Sequence, residues 1–461
     1  MAGGAVVSGA RATGPKLSKR QEIFAFCLVT SLFFAWGLSY GLLDVLNKKA
    51  QEAFKVTRLM STMLQVAYFG AYIVYSVPAS MFASRFGYKA GILMGLALYS
   101  IGAIAFWPSA HYAKYYGFVI SSFVIACGLA TLETMANSYI AVLGSPERAA
   151  FRLNLAQSSN GVGAFIGPLI ASKTFFTGAN AHSLKAVQYT YLAVACFGAA
   201  LAVLFFFAKL PEISEASIEE DQDASGLVDE RPLWRRKHTV FGFISQFFYV
   251  GAQVTTASFI VNYMADGKLG YSSAKGAEML MWMQITFMLA RIVSTPLLRF
   301  FNPAIILSVY GLICTVFSLV AALTDGKAGL AALFLVFFGE AVIYPTTFTL
   351  ATSNLGKYSK RGAGLLVMGV GGGAAFPPMQ GALADAKGTT LSYVIPFAGF
   401  SITVAYGIGM FFYTRRIERQ KADAALFAQG PATLAHPSDS ELEKTESADK
   451  GEVDQIERVR A

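Results

Sequence analysis

Apolar residues run along the chain in blocks of about twenty, each closed by a short polar stretch. That length is what a bilayer core of about 30 Å requires of a helix rising about 1.5 Å per residue. Backbone amides find no water in hydrocarbon, so each block is predicted to be a helix. Twelve blocks are counted, at 21–45, 60–83, 89–109, 115–143, 153–175, 186–209, 237–264, 277–299, 303–324, 329–352, 362–384 and 391–414. The longest internal polar stretch, EISEASIEEDQDASGLVDERPLWRR at 212–236, divides them six and six and reads as a flexible linker. The expected organisation is a cytosolic segment 1–20, a six-helix bundle 21–209, a cytosolic linker 210–236, a second six-helix bundle 237–415 and a tail 416–461 expected to be disordered.

Composition removes the soluble alternative. Of 461 residues, 55% are hydrophobic and 14% are charged, against about 25% charged in an ordinary soluble domain. The fold class is therefore an all-α membrane protein of twelve transmembrane helices. The net charge of +9 sits in short loops, which is a topology signal and not a nucleic-acid footprint. With the N-terminus and the even-numbered loops on one side, that side holds twenty Lys and Arg and the other holds ten. Both termini are then expected in the cytosol, with the plasma membrane as the default location. The first loop of the poorer side, with Lys48, Lys49, Lys55 and Arg58, runs against this count.

The four cysteines lie inside apolar blocks and read as small buried hydrophobes. His111, His182, His238 and His436 fall in loops or the tail, so no histidine proton relay is expected. There is no Walker loop, no metal-spaced His/Cys cluster and no nucleophile–His pairing. An enzyme is not expected, nor any cofactor beyond protons as coupling ion. The expected partners are the lipid bilayer and a small-molecule substrate, with no nucleic acid, and the chain is expected to act as a monomer.

The two halves resemble each other. The fifth block carries NGVGAFIGP (160–168) and the eleventh carries GVGGGAAFPP (369–378), each with glycines ahead of a proline. Small residues permit close helix contact, and proline loosens the backbone. The loop after the second block, PASMFASRFGYKAG (78–91), resembles the loop signature of the major facilitator superfamily. Arg85, Gly87 and Lys89 match it, and Ser84 stands where the signature has aspartate. That superfamily builds two pseudo-symmetric six-helix halves, with substrate bound near the midplane between them.

A narrower resemblance is carried by FFAWGLSYGLLD (33–44), LETMAN (132–137), FRLNLAQSSN (151–160), FFYVGAQ (247–253) and YPTTF (344–348). These stretches look like the fucose:proton symporter family. The resemblance implies proton coupling and sugar binding at Asp44 and Glu133, and a sugar cavity lined by Gln157 and Asn160. The run before Asp44 is a departure. It reads SYGLL (39–43), where that family carries an asparagine-rich segment.

Several of these residues stand out without the resemblance. Glu133 lies mid-block, where an acid costs about 2.5–3.5 kcal/mol on insertion scales. Desolvation favours the neutral form, so Glu133 is a candidate proton carrier; the alternative is a neutral acid bonded to backbone for packing. Asp44 lies near the end of its block, where a solvated helix end competes with function. Glu340, in FFGEAVIYPTTF, is a second-half candidate for the substrate site that the resemblance does not assign; the alternative is a structural hydrogen bond. Gln157 and Asn160 share a helix face and offer donor and acceptor together to sugar hydroxyls; helix–helix adhesion is the alternative. Gln253 follows the same argument. Trp36 and Tyr40 share a face suited to stacking on a sugar ring, although aromatics are common in membrane helices. Arg152 marks the cytosolic mouth of the fifth helix, as a gate or as a topology charge. Arg291, within the eighth block, either snorkels or pairs with a helix end.

The expected function is proton-coupled symport of a monosaccharide or small polyol by alternating access. Efflux of a small organic metabolite by proton exchange remains open on the same scaffold, as does a nutrient receptor that does not transport.

Overall fold

The computed structural model describes residues 18–55, 58–144, 148–174, 184–211, 231–266, 270–271 and 273–428. The side chains of some helical residues, Asp44 among them, lie outside that description, as do most of the linker and the tail beyond 428. Every regular element among the described residues is helical.

The first half comprises α1 (Lys19–Phe54), α2 (Arg58–His111), α3 (Tyr115–Val142), α4 (Ala149–Thr174) and α5 (Lys185–Phe207). The second comprises α6 (Lys237–Asp266), α7 (Ser273–Ser294), α8 (Pro303–Leu323), α9 (Lys327–Glu340), α10 (Ile343–Ala351), α11 (Ser359–Met368), α12 (Gly372–Lys387), α13 (Thr389–Ser392) and α14 (Val394–Ala428). Ten stretches are long and apolar enough to cross a membrane. One of them, Met63–His111, is broken at Gly87 and supplies two passes. There φ is 88°, a conformation glycine reaches without a Cβ penalty. The α4 helix makes the remaining pass. Its first half, AAFRLNLAQSSN, is too polar to register as a span by hydropathy. Twelve passes result, with α9–α10, α11–α12 and α13–α14 each forming one interrupted pass.

The α1 helix starts earlier and ends later than its apolar block. Ser18 caps it, accepting from the Gln21 amide while the Gln21 side chain accepts from the Ser18 amide, a capping box. It then runs to Phe54 through NKKAQEAF, which is rich in helix formers, and stops at Lys55 in the left-handed region. Hydropathy marks where lipid begins, not where a helix stops.

Glycine seams hold the halves together internally. In the first half, a Cβ on Gly37 would lie 2.0 Å from the Asn160 carbonyl oxygen, and one on Gly163 would lie 2.4 Å from that of Phe34. In the second half, α12 meets α6 the same way, with a Cβ on Gly372 falling 2.0 Å from the Phe247 carbonyl oxygen. First pass against fifth therefore repeats as seventh against eleventh, the relation the paired glycine motifs imply. Gly37→Ala is expected to destabilise by about 3 kcal/mol, because backbone on both sides leaves the methyl nowhere to go. Thermal unfolding in detergent checks this. A melting temperature equal to that of the parent would show that the seam relaxes freely.

Polarity is inverted relative to a soluble protein. Phe206, Phe207, Val293 and Leu312 are exposed toward lipid, while Asn137, Asn154, Gln157 and Gln246 are buried. Two cysteines depart from expectation: Cys27 and Cys196 face outward, and only Cys127 and Cys314 are buried. A thiol is apolar enough for either environment. His238 also departs. It sits on the first turn of α6, buried, with Nε2 3.1 Å from the Ser353 carbonyl oxygen.

Candidate functional site

A cavity of about 600 Å³ lies between the halves, within the range of small-molecule sites. The passes alternate direction, so the bundle has a face that carries Gly87 and an opposite face. On the Gly87 side the halves are joined. The α11 helix packs on α2 and α3, and α10 packs on α4. The Asn154 amide nitrogen donates to Thr346 Oγ1 at 3.3 Å, the Arg299 guanidinium lies 5.1 Å from the Phe151 ring centroid, and the Lys360 ammonium lies 4.5 Å from that of Tyr88. From mid-depth the cavity extends toward the opposite face, where Leu169 and Leu280 are among its walls.

The first-half walls follow from the α4 face. Gln157 and Asn160 both line the cavity. Gln157 Nε2 donates to Asn137 Oδ1 at 2.9 Å, and Asn160 Nδ2 donates to the Phe33 carbonyl at 3.4 Å. Trp36 and Tyr40, on α1, are walls as well. The Trp36 ring lies 6.3 Å from that of Tyr344, across the halves, and the Tyr40 ring lies 6.5 Å from that of Phe69. Of the sequence candidates, Gln157, Asn160, Trp36, Tyr40, Gln253 and Glu340 are all brought to one cavity.

Glu133 is not itself a wall; it stands directly behind one. Every residue of α3 from Ile125 to Ile140 is buried, so no face of that stretch meets lipid. Tyr344, a wall residue of α10, donates its hydroxyl to Glu133 Oε1. The other carboxyl oxygen, Oε2, has no hydrogen-bond partner among the described residues. Tyr72 and Asn137 are its further polar neighbours. Asp44 lies one turn beyond Tyr40 along α1, and its side chain is outside the described residues.

The broken tenth pass explains the second-half site. Pro345 has no N–H, so the carbonyl of Ala341, four residues earlier, loses its helical partner. The helix breaks between α9 and α10, and Arg291 Nε takes the freed carbonyl at 2.6 Å. Arg291 Nη1 also donates to the Gln157 carbonyl at 3.1 Å, crossing to the first half. The residue is buried and lines the cavity, with the Phe287 ring centroid 4.6 Å from its guanidinium carbon. Of the two readings of Arg291, pairing with a helix end is the one observed. The carbonyl of Glu340, also at the break, accepts from the Tyr249 hydroxyl at 2.8 Å. Interrupted helices of this kind, with freed backbone groups beside a cavity, mark substrate sites in transporters.

The remaining candidates lie at the Gly87 face, away from the cavity. Lys89 Nζ donates to the carbonyls of Phe206 and Ala208 at the end of α5, and Arg85 is exposed beside Phe86. Arg152 donates to the carbonyls of Ile140 and Ala141, capping the end of α3 within its own half. Sequence reading did not single out Tyr344, Tyr68 or Gln284, all walls of the cavity. Only the position of Tyr344 inside the YPTTF motif hinted at its place.

Two six-helix halves closing on a mid-depth cavity, with buried acids and a broken helix, define a secondary membrane transporter. The family model described as Major Facilitator Superfamily matches residues 24–378. The chain belongs to that superfamily, as an integral multi-pass membrane protein. It is 31% identical to a glucose/galactose transporter of Brucella abortus over 396 residues, covering 85% of this chain and 95% of that one. It is 32% identical to the L-fucose-proton symporter of Escherichia coli K12 over 403 residues, covering 83% and 92%. The crystal structure of the transporter FucP in its outward conformation superposes with a TM-score of 0.75 at 32% identity, covering 85% of this chain and 99% of that one.

Proposed function

We propose that the chain is a proton-coupled symporter of a monosaccharide or related small polyol, working by alternating access. The observation that carries this reading is the Tyr344–Glu133 hydrogen bond. It links a buried acid of the first half to a cavity wall of the second. Gaining or losing a proton at Glu133 changes the strength of a bond that spans the two moving bodies. The amides Gln157, Asn160 and Gln253 offer paired donors and acceptors to hydroxyls, and Trp36 and Tyr40 offer ring faces. The names of the relatives, glucose/galactose transporter and L-fucose-proton symporter, support the same substrate class and coupling ion.

On this reading Asp44 and Glu133 handle the proton, and the six walls taken from sequence contact the sugar. The chain acts as a monomer in the plasma membrane, with no cofactor and with the Gly87 face in the cytosol. The cavity then extends outward. Efflux by proton exchange is the second reading, favoured by the SYGLL run, where amide side chains are replaced.

Reconstituted protein separates these. Under an inward pH gradient, labelled glucose, galactose or fucose is expected to accumulate, and an uncoupler is expected to abolish the accumulation. Uptake indifferent to the uncoupler rules out proton coupling. Loss of preloaded substrate driven by the same gradient identifies the exchanger instead.

A further inference from the structure

Glu340 repeats Glu133. Aligned on their motifs, LETMANSYIAVLG (132–144) and GEAVIYPTTFTLA (339–351) place the two acids in register. Asn137 and Tyr344 each follow their acid by four residues. Both acids lie on the fourth pass of their half. Glu133 is screened from the cavity, whereas Glu340 is 1% exposed and forms part of its wall. Its Oε1 has no hydrogen-bond partner among the described residues.

Among the described residues, the groups around Glu340 offer a negative charge there one amide donor, Gln253. Tyr249 faces it from α6, Cys314 from α8 and Tyr393 from the turn before α14. All three are neutral near pH 7. Gln253, on α6, donates a side-chain hydrogen bond to the carboxyl. Arg291 is the charged neighbour on α7; its guanidinium donates to the carbonyls of Ala341 and Gln157. A carboxylate with a single neutral amide donor in such a place is expensive, and a proton removes that expense.

We propose that Glu340 is a second-half proton-binding site, loaded from the cavity, so that one further proton travels with each substrate. The carboxylate takes H⁺ from cavity water and returns it to water on the other side, and no other bond changes. The proposal rests on the symport reading, and its test separates the two.

Full-length protein is reconstituted with the membrane potential clamped at zero, using whichever of glucose, galactose and fucose the wild type accumulates. Each coupled proton multiplies the accumulation under a one-unit pH gradient by about ten. Glu340→Gln is expected to lower the accumulation ratio about tenfold, a ratio set by the number of coupled protons and not by the rate or affinity of sugar exchange. The infrared carbonyl band of a protonated carboxyl, read on purified wild type without substrate, is expected to lose intensity in Glu340→Gln. An unchanged ratio with an unchanged band overturns the proposal, as does altered sugar preference at the wild-type ratio. Should the wild type accumulate no sugar, the symport reading fails while the band still tests Glu340. Should Glu340→Gln not fold, Gln253→Leu is expected to shift the pH at which the band appears, and an unmoved band overturns the proposal.

Discussion

Glu133→Gln is expected to lower uphill sugar accumulation about tenfold per unit of pH gradient while leaving sugar-for-sugar exchange within a few-fold of the parent. Glutamine keeps the shape of the side chain and an oxygen that accepts from Tyr344, so the closed contact on the Gly87 side survives. What it lacks is a titrating proton. In the parent, the ionised carboxylate buried in α3 is stabilised by the hydroxyl from the other half, so pulling the halves apart strands a charge in a dry helix. Protonation removes the charge before the halves part. The cost of an acid at mid-membrane, about 2.5–3.5 kcal/mol, corresponds to about a hundredfold in the population able to switch. That penalty keeps the ionised parent from switching; without it the variant switches freely and loses the roughly tenfold accumulation that one coupled proton supplies per unit of pH gradient. In the parent, uptake should rise as the outer pH falls; in the variant, exchange should be flat with pH. Accumulation by Glu133→Gln at the parent ratio would place the coupling proton elsewhere.

Much of this was legible in sequence because a bilayer punishes exceptions. A glutamate inside LETMAN is conspicuous when its neighbours are apolar for many residues, and it proved fully buried. The glycine motifs of the fifth and eleventh blocks announced close contacts. Their partners, Gly37 on α1 and the Phe247 backbone on α6, were invisible because a contact surface needs both helices in place. Tyr344 was hidden by abundance, as one of 21 tyrosines in an aromatic-rich chain. Arg291 was harder still. Its partner exists only because Pro345 strips the Ala341 carbonyl, and nothing local to Arg291 encodes that. Asp44, assigned through the resemblance, keeps that standing alone.

Replacing Arg291 with alanine is expected to cost both stability and transport. The carbonyls of Ala341 and Gln157 would each lose a charged donor in a buried setting, at about 1–3 kcal/mol apiece. The Phe287 face would lose its cation. The tie between α7 and α4 would also go, so the Gly87-side closure should loosen and exchange should slow or lose its substrate affinity. Pro345→Ala is the diagnostic second change. It restores an N–H four residues after Ala341, allowing the tenth pass to satisfy that carbonyl internally. The stability loss from Arg291→Ala should therefore shrink by about 2 kcal/mol in the Pro345→Ala background, as a double-mutant cycle of thermal or denaturant unfolding would read. Transport should not return, because the cross-half bond to Gln157 is still missing. Strict additivity of the two substitutions would mean that the arginine is not there to cap the break, and the link from proline to broken helix to cavity cation would fall with it.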